Sequence, residues 1–181
     1  EKLSSIKEIF QDITFEIGCG LETANDFVRE HAINKGFSFN DYKNAADIIK
    51  RNNFKLKTYV LIKPLFLTEK ESIDDCKNTI DKIKTYADTT SLNPVNVQRN
   101  TVVEYFWKRK QFRSAWLWSV VEILKTGKKV IGKKRIQCDI AGGGSIRGAH
   151  NCTTCDDKFL DAIADFSLMQ DVKVFENLNC N

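Results

Sequence analysis

The sequence predicts an α/β fold: three parallel βα units carrying a mainly helical C-terminal extension, with a Cys/His metal knot inside that extension. Three observations predict it. Strand-like segments at 11–19, 55–62 and 89–95 alternate with two capped, amphipathic helical segments, and crossovers of that length join only parallel strands. Pro64 and Pro94 sit just past the second and third strands, at the end where the loops of a parallel sheet gather into sites. Beyond residue 97 the alternation stops, and basic, helical and Cys/Gly-rich segments follow.

Each element has its own reason. QDITFEIGC (11–19) alternates Ile13, Phe15 and Ile17 before Gly18-Cys19-Gly20, and reads as a strand entering a loop. A broken helical stretch covers 24–31. Ser38 and Asp41 make a capping-box pattern, and a helix follows with Tyr42, Ala45, Ile48 and Ile49 on one face. KLKTYVLI (55–62) ends in four apolar residues, as a buried parallel strand should. Thr68 and Glu71 form a second capping box, and Ile73, Cys76, Ile80 and Ile83 stripe an amphipathic helix over 69–86. TTSLNPV (89–95) is the third strand. Helices near 100–109 and 114–126, a basic linker, the Cys/Gly knot and a helix near 156–169 complete the chain. This divides it into 1–97, the βα part, and 98–181, the helical, basic extension. A bare three-stranded sheet leaves a long apolar edge, so the chain reads as half of a larger α/β structure.

Composition narrows the function classes. At 181 residues and 42% hydrophobic, the chain can bury one sizeable core. No apolar run approaches the ~20 residues of a spanning helix, which argues against a membrane anchor. EKLSSIKEIF has no apolar h-region, and from its start at Glu1 the chain is expected to be a piece of something longer. Six cysteines without a secretion signal point to a reducing, cytoplasmic setting, where clustered thiols bind metal more often than they pair.

Charge is uneven. Residues 108–135 hold ten cations and one acid, Glu122, so this segment is +9 within a chain of net +4. Trp107, Trp116 and Trp118 lie in or beside it. Clustered Lys and Arg neutralise phosphates, and exposed rings stack unpaired bases. A solvated helix face over buried tryptophans is the other reading. Trp116 and Trp118 are two apart and cannot share a helix face, so at least one is expected in the core.

The strand ends offer polar groups. Glu22 and Thr23 follow two glycines, and a carboxylate there can accept two hydrogen bonds from a ribose diol; it would equally serve to begin the next helix. Lys63 follows the second strand, and Asn93, Asn96 and Gln98 mark the third. Together they describe a pocket for a polar, nucleoside-like ligand. In CDIAGGGSIRGAHNCTTC (138–155), GGGS lacks the GK[ST] ending of a phosphate loop. A Cys152–Cys155 disulfide would leave Cys138 and His150 unexplained. Cys138, His150, Cys152 and Cys155 instead supply a Cys₃His set, a recognised tetrahedral zinc site, with an iron–sulfur cluster as the rival and the histidine favouring zinc. Cys19, Cys76 and Cys180 are expected outside it.

FEIGCGLETANDFVREHAINKGFSFNDY, KTYVLIKPLFLTEKE, SLNPVNVQ and CDIAGGGSIRGAHNCTTCD resemble, in that order, the radical S-adenosylmethionine (SAM) enzymes, most closely the archaeosine-biosynthesis branch. The resemblance implies a partial (β/α)₆ barrel in which the three strands here are the fourth to sixth. It implies SAM and a [4Fe–4S] cluster as cofactors. Glu22 and Thr23 would meet the SAM ribose, and the backbone around Leu61, Ile62, Asn93 and Pro94 the adenine. The implied reaction is lyase-type, on archaeal tRNA bearing a lysine adduct of a cyano-deazaguanine base, breaking a C–N bond to leave the amidine. Lys63, Asn96, Arg113, Lys128, Lys129, Lys133 and Lys134 are the expected tRNA contacts. The implied partners are tRNA, the protein's own N-terminal half and a companion tRNA-modifying enzyme. No CxxxCxxC triplet occurs in the sequence. The cluster ligands are therefore expected outside this chain, and a C-terminal fragment of this kind cannot cleave SAM alone. The alternative function is a non-enzymatic, zinc-stabilised RNA-binding module.

Overall fold

In the computed structural model, which describes residues 5, 9, 10 and 12–180, strands β1 (Glu16–Glu22), β2 (Lys55–Ile62), β3 (Thr89–Pro94) and β4 (Arg135–Cys138) form one parallel sheet in that order. Right-handed crossovers between neighbours that always step the same way leave the crossover helices on one face. Those helices are α1 (Phe39–Arg51), α2 (Glu69–Ile83), α4 (Leu117–Ile131) and, after β4, α5 (Asp156–Met169), while α3 (Val102–Lys108), also between β3 and β4, packs at the strand C-termini. The parallel α/β class and the helices at both capping boxes are as the sequence predicts. Ser38 and Thr68 accept from the backbone N–H of Asp41 and Glu71, whose carboxylates accept from the cap residues' own N–H.

Four details differ. The sheet has four strands rather than three. β4 lies in the stretch read as a basic linker, and at four residues its Ile136/Cys138 alternation is too short to register against the surrounding lysines. α4 accordingly runs to Ile131, beyond the expected 126, and the loop 132–134 turns it into β4. The first strand runs 16–22, not 11–19. Gly18 and Gly20 are strand residues paired with Lys57 and Tyr59 rather than a turn, and Gln11 lies outside the described residues. On α1 the buried line is Tyr42, Ala46 and Ile49; Ala45 stands off it and Ile48 is largely exposed.

The strands present two unlike faces. Leu21, Leu56, Val60, Ile62, Leu92 and Ile136 point under the helices and are fully buried. They join Cys76, Ile80, Ile83, Leu117, Val120, Ile123, Leu124, Phe159, Ile163 and Phe166 in one core that takes in residues on both sides of position 97. The other face carries Glu16, Gly18, Gly20, Lys57, Tyr59, Ser91, Asn93 and Gln137, with Thr89 donating to Glu16 across it at 2.7 Å. A smaller cluster of Leu65, Val95, Val97 and Phe112 caps the C-terminal ends of the strands, with Leu61, Phe106 and Trp107 packed against it.

Neither Trp116 nor Trp118 is a core residue; they are 40% and 42% exposed. Trp116 precedes the first helical residue of α4, so helical spacing does not govern it, and Trp118 packs edge-on against Phe159 at 4.4 Å. Among the described residues no helix is long and apolar enough to cross a membrane.

Candidate functional site

The C-terminal ends of β1, β2 and β3 bring several expected residues together. Glu22 pairs with Val60 across β1 and β2, and Leu61 with Asn93 across β2 and β3. At Glu22 the strand breaks register and turns into a positive φ of 68°, which swings the carboxylate out of the ladder. There it accepts a hydrogen bond from Lys35 Nζ at 2.7 Å. The ion pair lies over Gly20, where a Cβ would stand 2.8 Å from Glu22 Oε1 and 3.0 Å from Lys35 Nζ. At Gly18 a Cβ would stand 3.0 Å from the Tyr59 ring. The two glycines therefore make room on the strand for the Tyr59 ring and for the Glu22–Lys35 ion pair, which sets the Glu22 carboxylate at the C-terminal end of β1.

The other expected cofactor residues divide by face. Thr23 is fully buried and its hydroxyl is committed, donating to Asp75 Oδ1 at 2.8 Å and accepting from the Asn25 N–H. It anchors the β1 end to α2. Ile62 and Pro94 turn their side chains away from the Gly18–Gly20 face, and Leu61 packs against the small capping cluster. Ile62 and Pro94 can meet a ligand only through backbone, whereas Leu61 is half-buried on the face that carries Tyr59. Burial pushes the Asp75 carboxyl up, and its second oxygen has no hydrogen-bond partner.

The expected tRNA residues lie at opposite poles. Lys63, Asn96 and Arg113 surround the strand C-termini. Lys63 adopts a positive φ and donates to Glu69 at 2.6 Å, Asn96 fits against Gly142, and the Arg113 guanidinium donates to the His150 carbonyl at 2.6 Å. Lys128, Lys129, Lys133 and Lys134 sit where α4 returns to the start of β4, at the N-terminal end of the sheet. Two of them are structural. Lys134 Nζ donates to the Lys84 and Ala87 carbonyls at 2.7 Å each, and Lys128 Nζ donates to the Lys134 carbonyl at 3.0 Å. Desolvation lowers the pKa of both. Only Lys129 and Lys133 of the four are exposed.

The metal-ligand set also changes. The sulfurs of Cys152, Cys155 and Cys180 lie within 4.8 Å of one another, and Cys138 and His150 are not in the group. Cys138 ends β4 on the helix side, where its buried thiol is pushed well above the usual range and its N–H donates to Ser167 Oγ. His150 turns its Nδ1 to the Gly148 carbonyl at 2.8 Å. Cys180 comes from the C-terminal tail after the 3₁₀ turn Val172–Phe175 and meets Cys152 at 3.1 Å; Cys152 and Cys155 are 3.4 Å apart. The partners' hydrogen bonds hold Cys152 down to about 7 and push Cys180 up to about 12. Sulfurs bound tetrahedrally to zinc at about 2.3 Å stand about 3.7 Å apart, so a few tenths of an ångström of opening would admit an ion. The cluster fits a metal. The sequence missed Cys180 because it lies 25 residues beyond Cys155 with no chelating neighbour; only the folding-back of the tail on α5 brings it in.

No family model matches the chain. Curated relatives do. The chain is 44% identical over 179 residues to archaeosine synthase subunit beta of Thermococcus kodakarensis, covering 98% of this chain and 55% of that protein. It is 39% identical over 180 residues to the protein of the same name from Methanosarcina acetivorans, covering 99% and 52%. Over nearly its whole length the chain is similar to archaeosine synthase subunit beta. It spans about half the length of the curated relatives it matches, and the resemblance drawn from its motifs, to the archaeosine branch of the radical SAM enzymes, is borne out. An uncharacterized protein of Methanocaldococcus jannaschii is 40% identical over 183 residues, 50% of its own length. In fold the chain is similar to Methanocaldococcus infernus Elp3, with a TM-score of 0.63 over 90% of this chain and 39% of that one, at 17% identity.

Proposed function

We propose that this chain is the part of an archaeosine-forming radical SAM enzyme that holds SAM at the strand ends and presents tRNA to it. The observation that carries the reading is the Glu22 carboxylate turned out of the ladder at the C-terminal end of β1, in a chain so similar to archaeosine synthase subunit beta. Glu22 orients the ribose hydroxyls, with Lys35 fixing the carboxylate's rotamer through one oxygen. Backbone at Leu61, Ile62, Asn93 and Pro94 forms the adenine wall. Lys63, Asn96 and Arg113 border the same strand ends, toward the tRNA base. Bound SAM together with a [4Fe–4S] cluster supplies the radical chemistry of C–N cleavage, and the cluster's ligands come from sequence outside this chain, which has no CxxxCxxC. The Cys152/Cys155/Cys180 cluster is a structural metal site that ties the tail to the start of α5. Three thiolates without an imidazole suit zinc with a fourth ligand, or a second iron–sulfur cluster.

The test is SAM binding by the longer protein. Glu22→Ala is expected to weaken SAM by about 1.5–3 kcal/mol, the loss of charge-assisted hydrogen bonds, in equilibrium dialysis. Unchanged affinity would remove Glu22 from the ribose.

A further inference from the structure

We infer that the tRNA-contacting surface is an arginine–aromatic ridge at the strand C-termini, built by α3 and the loops around it, and not the lysine loop 128–134. This rests on the tRNA reading above and assigns it a face.

Three guanidinium groups lie on three rings. Arg109 stacks on Tyr105 at 3.4 Å to the ring centroid, Arg113 on Trp116 at 3.4 Å, and Arg147 on Trp107 at 4.5 Å. The rings are not buried to make these contacts: Tyr105 is 52% exposed and Trp116 40%. Phe66, 64% exposed, extends the ridge through its edge-to-face contact with Phe106. Each stack is braced from below. Arg113 donates to the Ser114 and His150 carbonyls, Arg109 to the Tyr105 carbonyl, and the Trp107 indole to the Ile146 carbonyl. The side chains are thus held before any ligand arrives, which lowers the entropy lost on binding.

Charge selects the partner. Residues 98–118 carry Arg99, Lys108, Arg109, Lys110 and Arg113 against one acid, Glu104. That acid is buried and consumed by Arg147 and Lys108. Glu69, which borders the ridge, is likewise engaged, by Lys63 and the Trp116 N–H. A surface of fixed rings rimmed by cations that outnumber the acids matches unpaired bases on a phosphate backbone; a protein partner would have to supply the missing acids. The ridge also lies on the pole that carries the Glu22 strand end. A cleft of about 270 Å³ lined by Lys63, Phe66, Phe112 and Arg113 opens between the end of β2 and the ridge. A base held on the ridge is therefore at the same end of the sheet as Glu22, whereas one held at Lys129 and Lys133 is a sheet's length away.

The experiment is binding of an unmodified tRNA transcript to this chain by fluorescence anisotropy, at several salt concentrations. Tyr105→Ala with Trp116→Ala is expected to weaken binding at least tenfold. Arg99→Ala with Lys108→Ala and Lys110→Ala should flatten the slope of log K against log salt by about 2. Lys129→Ala with Lys133→Ala should leave affinity within about twofold of the parent. All these positions are exposed, and an unchanged thermal melt shows that the variants fold. Tight binding that the ridge variants leave intact overturns the ridge while the tRNA reading stands. Loss confined to the Lys129/Lys133 variant relocates the surface to the other pole. Failure of the unsubstituted chain to bind tRNA, with capture of an acidic protein partner instead, overturns both.

Discussion

The sulfur of Cys180 lies 3.1 Å from that of Cys152, although 28 residues separate them. With Cys155 this makes a three-thiolate cluster that closes the C-terminal tail over the N-terminus of α5. The purified chain should carry about one equivalent of metal per cluster. Cys180→Ser should lower metal affinity at least about tenfold, whereas Cys138→Ser should leave the stoichiometry alone. Elemental analysis reads both: zinc supports the mononuclear site, and iron with sulfide the cluster. Metal that survives Cys180→Ser but not Cys138→Ser would restore the set expected from spacing.

Gly148 is a packing glycine. A Cβ there would collide with the Gly142 carbonyl, backbone against backbone, where the loop 138–155 folds on itself. Gly148→Ala should therefore cost about 2 kcal/mol or more in urea unfolding. A neutral substitution would mean that the loop opens freely.

Lys134 acts as a clamp at the foot of the sheet, on the Lys84 and Ala87 carbonyls. Lys134→Ala should destabilise the chain by about 1 kcal/mol without altering the salt dependence of tRNA binding. The reverse outcome, stability kept and salt dependence flattened, would make it a phosphate contact after all.

Glu104 accepts from Arg147 at 2.7 Å and from the Asn100 N–H at 2.9 Å, and these hydrogen bonds hold its carboxyl down to about 2. A depressed folded-state pKa contributes stability that is present above the ordinary value of 4.5 and is lost as pH falls toward 2. Glu104→Gln should lower the melting temperature at pH 7 and reduce the parent's loss of stability between about pH 4.5 and 2. Melts that keep the parent's full acid slope in the variant would assign that slope to other carboxylates.

Much of this architecture is legible in the sequence, and the misses share a cause. The capping boxes at Ser38 and Thr68 and the stripe Ile73, Cys76, Ile80 and Ile83 are local signals, and local signals survive folding. Gly18 and Gly20 mislead because glycine marks turns far more often than the close approach of side chains to a strand that it permits here. β4 is too short to show a period amid the lysines. The Cys/His knot fails for the opposite reason: nearness in sequence put Cys138 and His150 with the CxxC, while the fold sends Cys138 into the core and returns Cys180 from the tail. Likewise the basic run is continuous in sequence, but α4 carries its two halves to opposite poles of the sheet. The pairing of Glu22 with Lys35 follows from no spacing rule; it needs the bulge at the end of β1.

The central claim is that the Gly18–Gly20 strand end with Glu22 serves SAM-dependent formation of archaeosine. Its most direct measurement is nucleoside mass spectrometry of precursor tRNA incubated with the longer protein, SAM and a reductant. The account predicts archaeosine only when SAM is present, and at least about tenfold less of it with Glu22→Ala at limiting SAM. Archaeosine formed without SAM, or formed equally well by the Glu22→Ala protein at every SAM concentration, would contradict it.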